Sequence, residues 1–321
     1  MSIVNAKEIM IEGAKNGYAV GAFNITDLVQ FEAVIDAAIE KKVRGLYIMG
    51  ENPMISDPDI NHVREALEAL DFLVVQDIFL TETAELADVV LPSCSFAEKD
   101  GTFTNTERRV QRVRKAVEPP GQARADWQII CEVATAMGSP MSYRHPEEVW
   151  NELSALSPSL AGISYDRIAV LGIQWPCPAK DHPGTRFMHK DRFTRGKGLF
   201  HAIKFRQPAE VPDAEYPMVL STGRTLHNYN IGNMTRKSAL IEQREPENFV
   251  EIHRQDASRL HLKDGDEVRI RTRRGAIVAR ARVSSKVRPG AIWMPFHHAE
   301  ASTNLLTNDA YDTVTRTAEY K

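Results

Sequence analysis

Five polar stretches in this chain stand at the ends of apolar runs, and their residue types suit recognition of a polar ligand. Gly50-Glu51-Asn52-Pro53 follows LYIM, Gln76-Asp77 lies inside VVQDIF, and EKDGTFTN comes after DVVLP. STGR follows MVL, and STNLLTN lies near the carboxyl end. Amide and carboxylate side chains can pair with the donors and acceptors of a purine, and loop N–H groups can take phosphates. Open α/β sheets hold ligands at the carboxyl ends of their strands. Each stretch alone reads as an ordinary loop. Together they imply one large polar ligand.

Isolated candidates carry less. Adjacent residues on a strand point to opposite faces, so His297-His298 reads as packing or a cofactor contact rather than a metal pair. RIRTRRG sets Arg269, Arg271 and Arg273 on one strand face, which is expected to be the solvated outside of a hairpin. Cys94 has no neighbouring base in sequence and reads as a buried, inert thiol. With Cys131 and Cys177 it makes three scattered cysteines, which argues against a disulfide framework and against a local zinc or iron–sulfur site. No catalytic residue and no metal ligand is assigned.

The elements that must position these residues fall into three regions. From Gly45 to Gly138 strands alternate with helices: LYIM, INHVREALEAL, FLVVQDIFL, TETAELA, DVVLP and ADWQIICEVATAMG. The apolar spacing predicts short buried strands and amphipathic helices, hence a parallel, Rossmann-like sheet. It has no G-x-G-x-x-G fingerprint, which speaks against a standard NAD site. Residues 139–217 read as a connecting segment with one clear helix, PEEVWNELSAL, and a weaker one, SYDRIAVLG. From Met218 onward, short strands are punctuated by turns at Asp264-Gly265 and Arg274-Gly275, the pattern of a small closed barrel.

The chain has 321 residues, enough for about two domains. A net charge of -3 gives no whole-chain field favouring nucleic acid or an anionic membrane. The start, MSIVNAKEIMIEGAKNG, lacks a signal-peptide pattern, and no stretch is long and apolar enough to span a bilayer, so a cytoplasmic location is expected.

The same stretches carry a resemblance. YIMGENP, LVVQDIFLTETAELADVVLP, EKDGTFTNTERRVQRVRKAVEPPG, DWQIICEVATAMG, STGR, NMTR and NLLTNDAYDTVTRTAEYK resemble the carboxyl-terminal half of a formate dehydrogenase catalytic subunit. That subunit is a molybdopterin oxidoreductase, and the hydrogen-lyase type of formate dehydrogenase is the nearest likeness. The resemblance implies an incomplete α/β Rossmann-like parallel sheet unit over residues 43–138, a connector over 139–217 and a double-psi β-barrel over 218–321. It implies molybdopterin guanine dinucleotide, with molybdenum or tungsten. Asn52, Ser56, Gln76 and Asp126 would then contact the guanine and ribose ends, with Asp77 in the same cofactor-binding set. Arg224, Tyr229, Asn230 and Asn304 would approach a pterin, although NYNIG departs from the family's H-W-H-T-G pattern.

The resemblance also implies a metal-binding Cys or selenocysteine and a four-Cys cluster, which three scattered cysteines do not supply. Residues 1–42, with YAVGAFNI, instead resemble the amino terminus of a class II fructose- or tagatose-bisphosphate aldolase. The expectation is therefore a chimeric or truncated chain, partnered by a separate amino-terminal half or an electron-transfer subunit, without nucleic acid or membrane. The alternatives are an aldolase-type lyase and a non-catalytic assembly subunit.

Overall fold

The computed structural model describes residues 28–202 and 204–310; YAVGAFNI and the ending beyond residue 310 lie outside the described residues. The chain divides into two compact units. One holds Gln76–Phe79 and Leu91–Lys204; the other holds the described residues up to Val75, Leu80–Val90 and everything from Phe205.

The predicted amphipathic helix near the start is α1 (Leu28–Ile39). Val34, Ile35 and Ala38 are buried, as its stripe requires; the Phe31 side chain, the stripe's other member, lies outside the described residues. After β1 (Gly45–Met49) come the one-turn α2 (Pro53–Ser56), α3 (Ile60–Ala69) and β2 (Phe72–Asp77). Ile35 and Ala38 join Ile60, Val63 and Leu67 of α3 and Leu73 and Val75 of β2 in one core. The first helix therefore packs on α3, in a core it shares with strands of the sheet. Strand β3 (Val89–Pro92) completes a sheet ordered β1-β2-β3. Leu73 O accepts from Asp88 N at 2.9 Å, and Asp77 O from Ser93 N at 3.0 Å, so β2 and β3 run in the same direction.

Three local expectations are corrected here. Strand β1 is half-buried, with Tyr47 and Met49 exposed, where full burial was expected. Strand β2 stops at Asp77 because the Asp77 carboxylate caps the next two amides, Ile78 N at 2.6 Å and Phe79 N at 3.3 Å. TETAELA forms only a single 3-10 turn, Ala84–Leu86.

In the other unit EKDGTFTN, expected as a loop, instead supplies β4 (Gly101–Thr104), which pairs antiparallel with β5 (Arg109–Val113). The turn between them is built by Asn105 Oδ1, which accepts from Glu107 N at 3.1 Å and Arg109 N at 2.9 Å. Helices α4 (Asp126–Ala136) and α5 (Pro146–Leu156) follow, the latter starting where His145 Nδ1 accepts from Glu147 N. SYDRIAVLG is a series of turns rather than a helix, because Tyr165 and Ile168 are drawn into a core with Trp150 and Val110. Short β6 (Ile173–Gln174) pairs with β5.

From Val219 the chain forms a mixed five-stranded sheet. Its strands are β7 (Val219–Gly223), β8 (Phe249–His253), β9 (Glu267–Arg271), β10 (Ala276–Ser284) and β11 (Ala291–Pro295), ordered β7-β11-β8-β10-β9. Helices α6 (Ala239–Glu242) and α7 (Arg254–Arg259) flank β8 in sequence. Pairing is parallel between β7 and β11 and between β8 and β10, and antiparallel elsewhere. Along β10 the period-two pattern buries Ile277, Ala279 and Ala281. Arg271 and Arg273 are more than a solvated face: they pair with Glu215 and with Glu210 and Asp213, and both lie over the Tyr216 ring.

Candidate functional site

The GENP turn after β1 is held by Asn52, which is fully buried. Its Nδ2 donates to Glu82 Oε2 at 2.8 Å and to Asn233 Oδ1 at 3.0 Å. Its Oδ1 accepts from Thr83 N at 3.2 Å and Thr83 Oγ1 at 2.7 Å. Pro53 at the first position of α2 suits a helix start, where no amide is needed. Asn304, also buried, donates from Nδ2 to Ile55 O at 2.8 Å and Ser56 O at 3.3 Å. Ser56 Oγ donates to Asp57 Oδ2 at 2.8 Å. Burial, and then the charge of Glu51, push the Asp57 carboxyl up to about 7 despite that bond. The structure thus brings Asn52, Ser56 and Asn304 together, with Asn52 and Asn304 fastening backbone.

Beside this turn, within the same unit, lies a cleft of about 500 Å³ whose lining includes Ile55, Glu82, Asn233, Arg236, His297 and Glu300. Arg236 is clamped by Glu242 at 2.6 Å and Glu300 at 2.7 Å and also donates to His297 O at 3.4 Å. Gly232 has φ +81°, and a Cβ there would sit 3.1 Å from His297 Cβ, so the loop closes on the histidine only because residue 232 is glycine. His297 is buried, and neither ring nitrogen has a hydrogen-bond partner; Glu245 Oε2 stands 3.5 Å from Nε2. Burial, then the neighbouring His298, pull the His297 ring down to about 4, outweighing Glu245. The ring is neutral at pH 7. His297 and His298 both lie beyond the end of β11, so strand alternation does not separate them, contrary to expectation: their rings meet at a tilt of 38° with centroids 4.5 Å apart.

Arg224, Tyr229 and Asn230 sit on an exposed loop, where Arg224 Nη2 donates to Asn230 Oδ1 at 3.1 Å and the guanidinium lies 5.3 Å from the Phe296 ring. The loop is anchored by Asn228, whose amide donates to Glu245 Oε2 at 3.1 Å and accepts from Thr235 Oγ1 at 3.0 Å. Asn228, Asn233, Arg236, Glu245 and Glu300 were missed by sequence reasoning. Only the NMTR string pointed near two of them.

In the other unit, Gln76 Nε2 donates to Asp126 Oδ1 at 2.8 Å, and Lys99 pairs with Asp126 Oδ2. Burial raises the Asp126 carboxyl, but Lys99 and Gln76 together hold it below its ordinary value. Asp77, turned to its own following amides, is raised by burial. Cys94 is buried and its thiol pushed up by burial, in keeping with an inert side chain. Among the described residues no group of three His, Cys, Asp or Glu is placed to hold a metal ion.

Residues 9–136 match the family profile of molybdopterin oxidoreductase, and residues 218–321 match the molydopterin dinucleotide binding domain. The chain has the domains of a molybdopterin oxidoreductase. Their cofactor is molybdopterin guanine dinucleotide. The F420-dependent formate dehydrogenase subunit alpha of Methanocaldococcus jannaschii is 49% identical over 285 residues, covering 88% of this chain and 42% of that protein. Formate dehydrogenase H of Escherichia coli is 40% identical over 290 residues, covering 88% of this chain and 41% of that protein. Identity is thus higher to the F420-dependent subunit than to formate dehydrogenase H. Among solved structures, acetylene hydratase from Pelobacter acetylenicus shares the fold, with a TM-score of 0.64 and 20% identity over 87% of this chain and 42% of that one. The chain spans about two-fifths of the length of the relatives it matches.

The oxidoreductase match begins at residue 9, inside the segment expected to be aldolase-like, and α1 is built into the core beneath the first sheet. The aldolase-type lyase is set aside. The residues present fit a polar cofactor: a cleft with guanidinium, amide and carboxylate groups ends on a buried histidine whose ring nitrogens lack partners.

Proposed function

We propose that this chain is the cofactor-holding part of a formate dehydrogenase alpha subunit. The observation that carries the reading is the 49% identity, over 88% of the chain, to a subunit of that name. In this reading the first sheet is a Rossmann-like unit and the five-stranded sheet belongs to a double-psi barrel. Asn52 and Ser56 in one unit, and Gln76, Asp77 and Asp126 in the other, are the candidates for guanine and ribose contacts. Arg224, Tyr229, Asn230 and Asn304 are the candidates toward a pterin. When bound, the cofactor with its molybdenum or tungsten would supply the two-electron redox chemistry that takes formate to carbon dioxide and a proton. The chain's own residues bind and orient: Asn52 and Asn304 fix the turn after β1, and the neutral His297 ring offers one donor and one acceptor. No residue of the cleft is assigned as a metal ligand, and an electron-transfer subunit is the partner this reading implies.

Calorimetry with guanosine diphosphate and adenosine diphosphate tests the nucleotide part. Preference for the guanine compound is expected; equal affinity, or none for either, overturns it. The purified chain alone is expected not to reduce a viologen with formate. Turnover by these 321 residues alone, in protein free of host formate dehydrogenase, overturns their reading as the cofactor-holding part only.

A further inference from the structure

A second cavity, of about 530 Å³, lies against the five-stranded sheet and shares no lining residue with the cleft at His297. Every strand of that sheet contributes to its wall. Leu220 of β7, Val250 and Ile252 of β8, Ile270 of β9, Ala281 of β10 and Ile292 of β11 border it, and all six are buried. Protein interiors leave few voids larger than a water molecule. A space of this size with aliphatic walls suits an apolar ligand, because water finds few partners there.

The facing wall comes from residues 207–218, where Pro208, Pro212 and Pro217 each fix a backbone φ. This strap is tied to the chain around β9. Glu210 pairs with Arg273 and Arg274, Asp213 with Arg273, and Glu215 with Arg271 at 3.2 Å. Asp213 Oδ1 also accepts from Glu215 N at 2.9 Å and Tyr216 N at 2.8 Å. The acids of the strap are thereby spent. The lining carries four arginines, Arg269, Arg271, Arg274 and Arg288, against two glutamates, Glu210 and Glu215, a net of +2. Since those glutamates hold Arg271 and Arg274, the surplus falls on Arg269 and Arg288. Both are exposed and, among the described residues, make no ion pair. Arg269 stands on β9, the edge strand of the sheet.

We propose that this cavity binds a medium-chain aliphatic carboxylate, its chain against the sheet's aliphatic wall and its carboxylate at Arg269 and Arg288. Guanidinium groups hold carboxylates through charge-assisted, often paired, hydrogen bonds. A small inorganic anion would leave the aliphatic wall unused, and a neutral hydrocarbon would leave the two arginines unused. A ligand with a chain and one negative end uses both. The inference stands on this cavity and does not depend on the proposed function.

Calorimetry of the full chain with hexanoate, octanoate and decanoate, each below its micelle-forming concentration, tests it. Each added CH₂ is expected to tighten binding about threefold to fourfold. Decanol, with the chain but no charge, should bind at least about tenfold more weakly than decanoate. Arg269→Glu and Arg288→Glu combined should weaken decanoate at least about tenfold and leave decanol within about twofold. Val268→Trp, at a half-buried lining position, should weaken both ligands by filling the space; the charge reversal, made at exposed positions, stays decisive where that variant does not fold. Amides of residues 209–216 should gain exchange protection with decanoate. No decanoate binding, affinity indifferent to chain length, decanol binding as tightly as decanoate, or decanoate affinity unchanged by the charge reversal overturns the proposal. So does self-association of the chain that excludes decanoate, which would make the cavity an interface between copies.

Discussion

Two strand ends in the same unit hold buried polar side chains, and they treat them in opposite ways. After β1, Asn52 makes four hydrogen bonds and has no capacity left over. After β11, His297 is equally buried, yet its two ring nitrogens make none. A polar residue at the end of a strand is therefore not by itself a ligand contact. What decides is whether the protein has already used its donors and acceptors. On that measure Asn52 organises the site, whereas the His297 ring, with only Glu245 Oε2 standing 3.5 Å from Nε2, is the less committed of the two.

The largest effect that would sharpen this contrast is on Asn52. Asn52→Ala leaves the Thr83 amide, the Glu82 carboxylate and Asn233 short of partners, at a cost of about 2–4 kcal/mol of folding stability. Urea unfolding measures it. A stable Asn52→Ala chain that has lost only guanosine diphosphate affinity would reverse the assignment and make Asn52 a ligand contact.

Asp126 stands between the two extremes. It is tied to Gln76 and Lys99, but its side chain keeps 31% of its exposure. Asp126→Ala is expected to cost about 1–2 kcal/mol in stability, since a half-exposed ion pair contributes little beyond its hydrogen bonds. Its effect on guanosine diphosphate affinity, expected at about 1–3 kcal/mol, is the separate measure of ligand contact. Calorimetry showing unchanged affinity in both Gln76→Ala and Asp126→Ala would reduce that cluster to a structural tie.

The smallest effect is expected at His297. His297→Leu removes two unsatisfied nitrogens and should change stability by less than about 1 kcal/mol near pH 7.5. Its pH dependence is the sharper readout. The folded His297 titrates at about 4 against an ordinary 6.5, so between those values the unfolded chain binds more protons and stability rises with pH. Asp57 works the other way: folded at about 7 against 3.8, it binds more protons in the native state, and its contribution falls as pH rises across that window. His297→Leu should flatten the rise, and Asp57→Asn should flatten the fall, in unfolding midpoints taken from pH 4.5 to pH 7.5. Identical profiles for wild type and both variants would remove either side chain from the titration.

The sequence by itself determined the elements whose signal is local. PEEVWNELSAL became a helix over those same residues, Pro146–Leu156, because its apolar spacing and its Pro start need only near neighbours. Strands β7 to β11 were legible from short apolar runs and turn residues, while the cofactor was implied only by the family resemblance that the quoted stretches carry. The tertiary structure alone decided which polar residues are spent. Asn52 finds Asn233 across 181 positions and Asn304 finds Ile55 across 249, and no local pattern encodes such pairs. EKDGTFTN read as a loop and became β4 because its partner strand, not its own composition, supplies the ladder. The strand alternation expected of His297 and His298 fails for the same reason, though packing or a cofactor contact stays their reading. Strand alternation ends where pairing ends, and where pairing ends depends on neighbours far away in the chain.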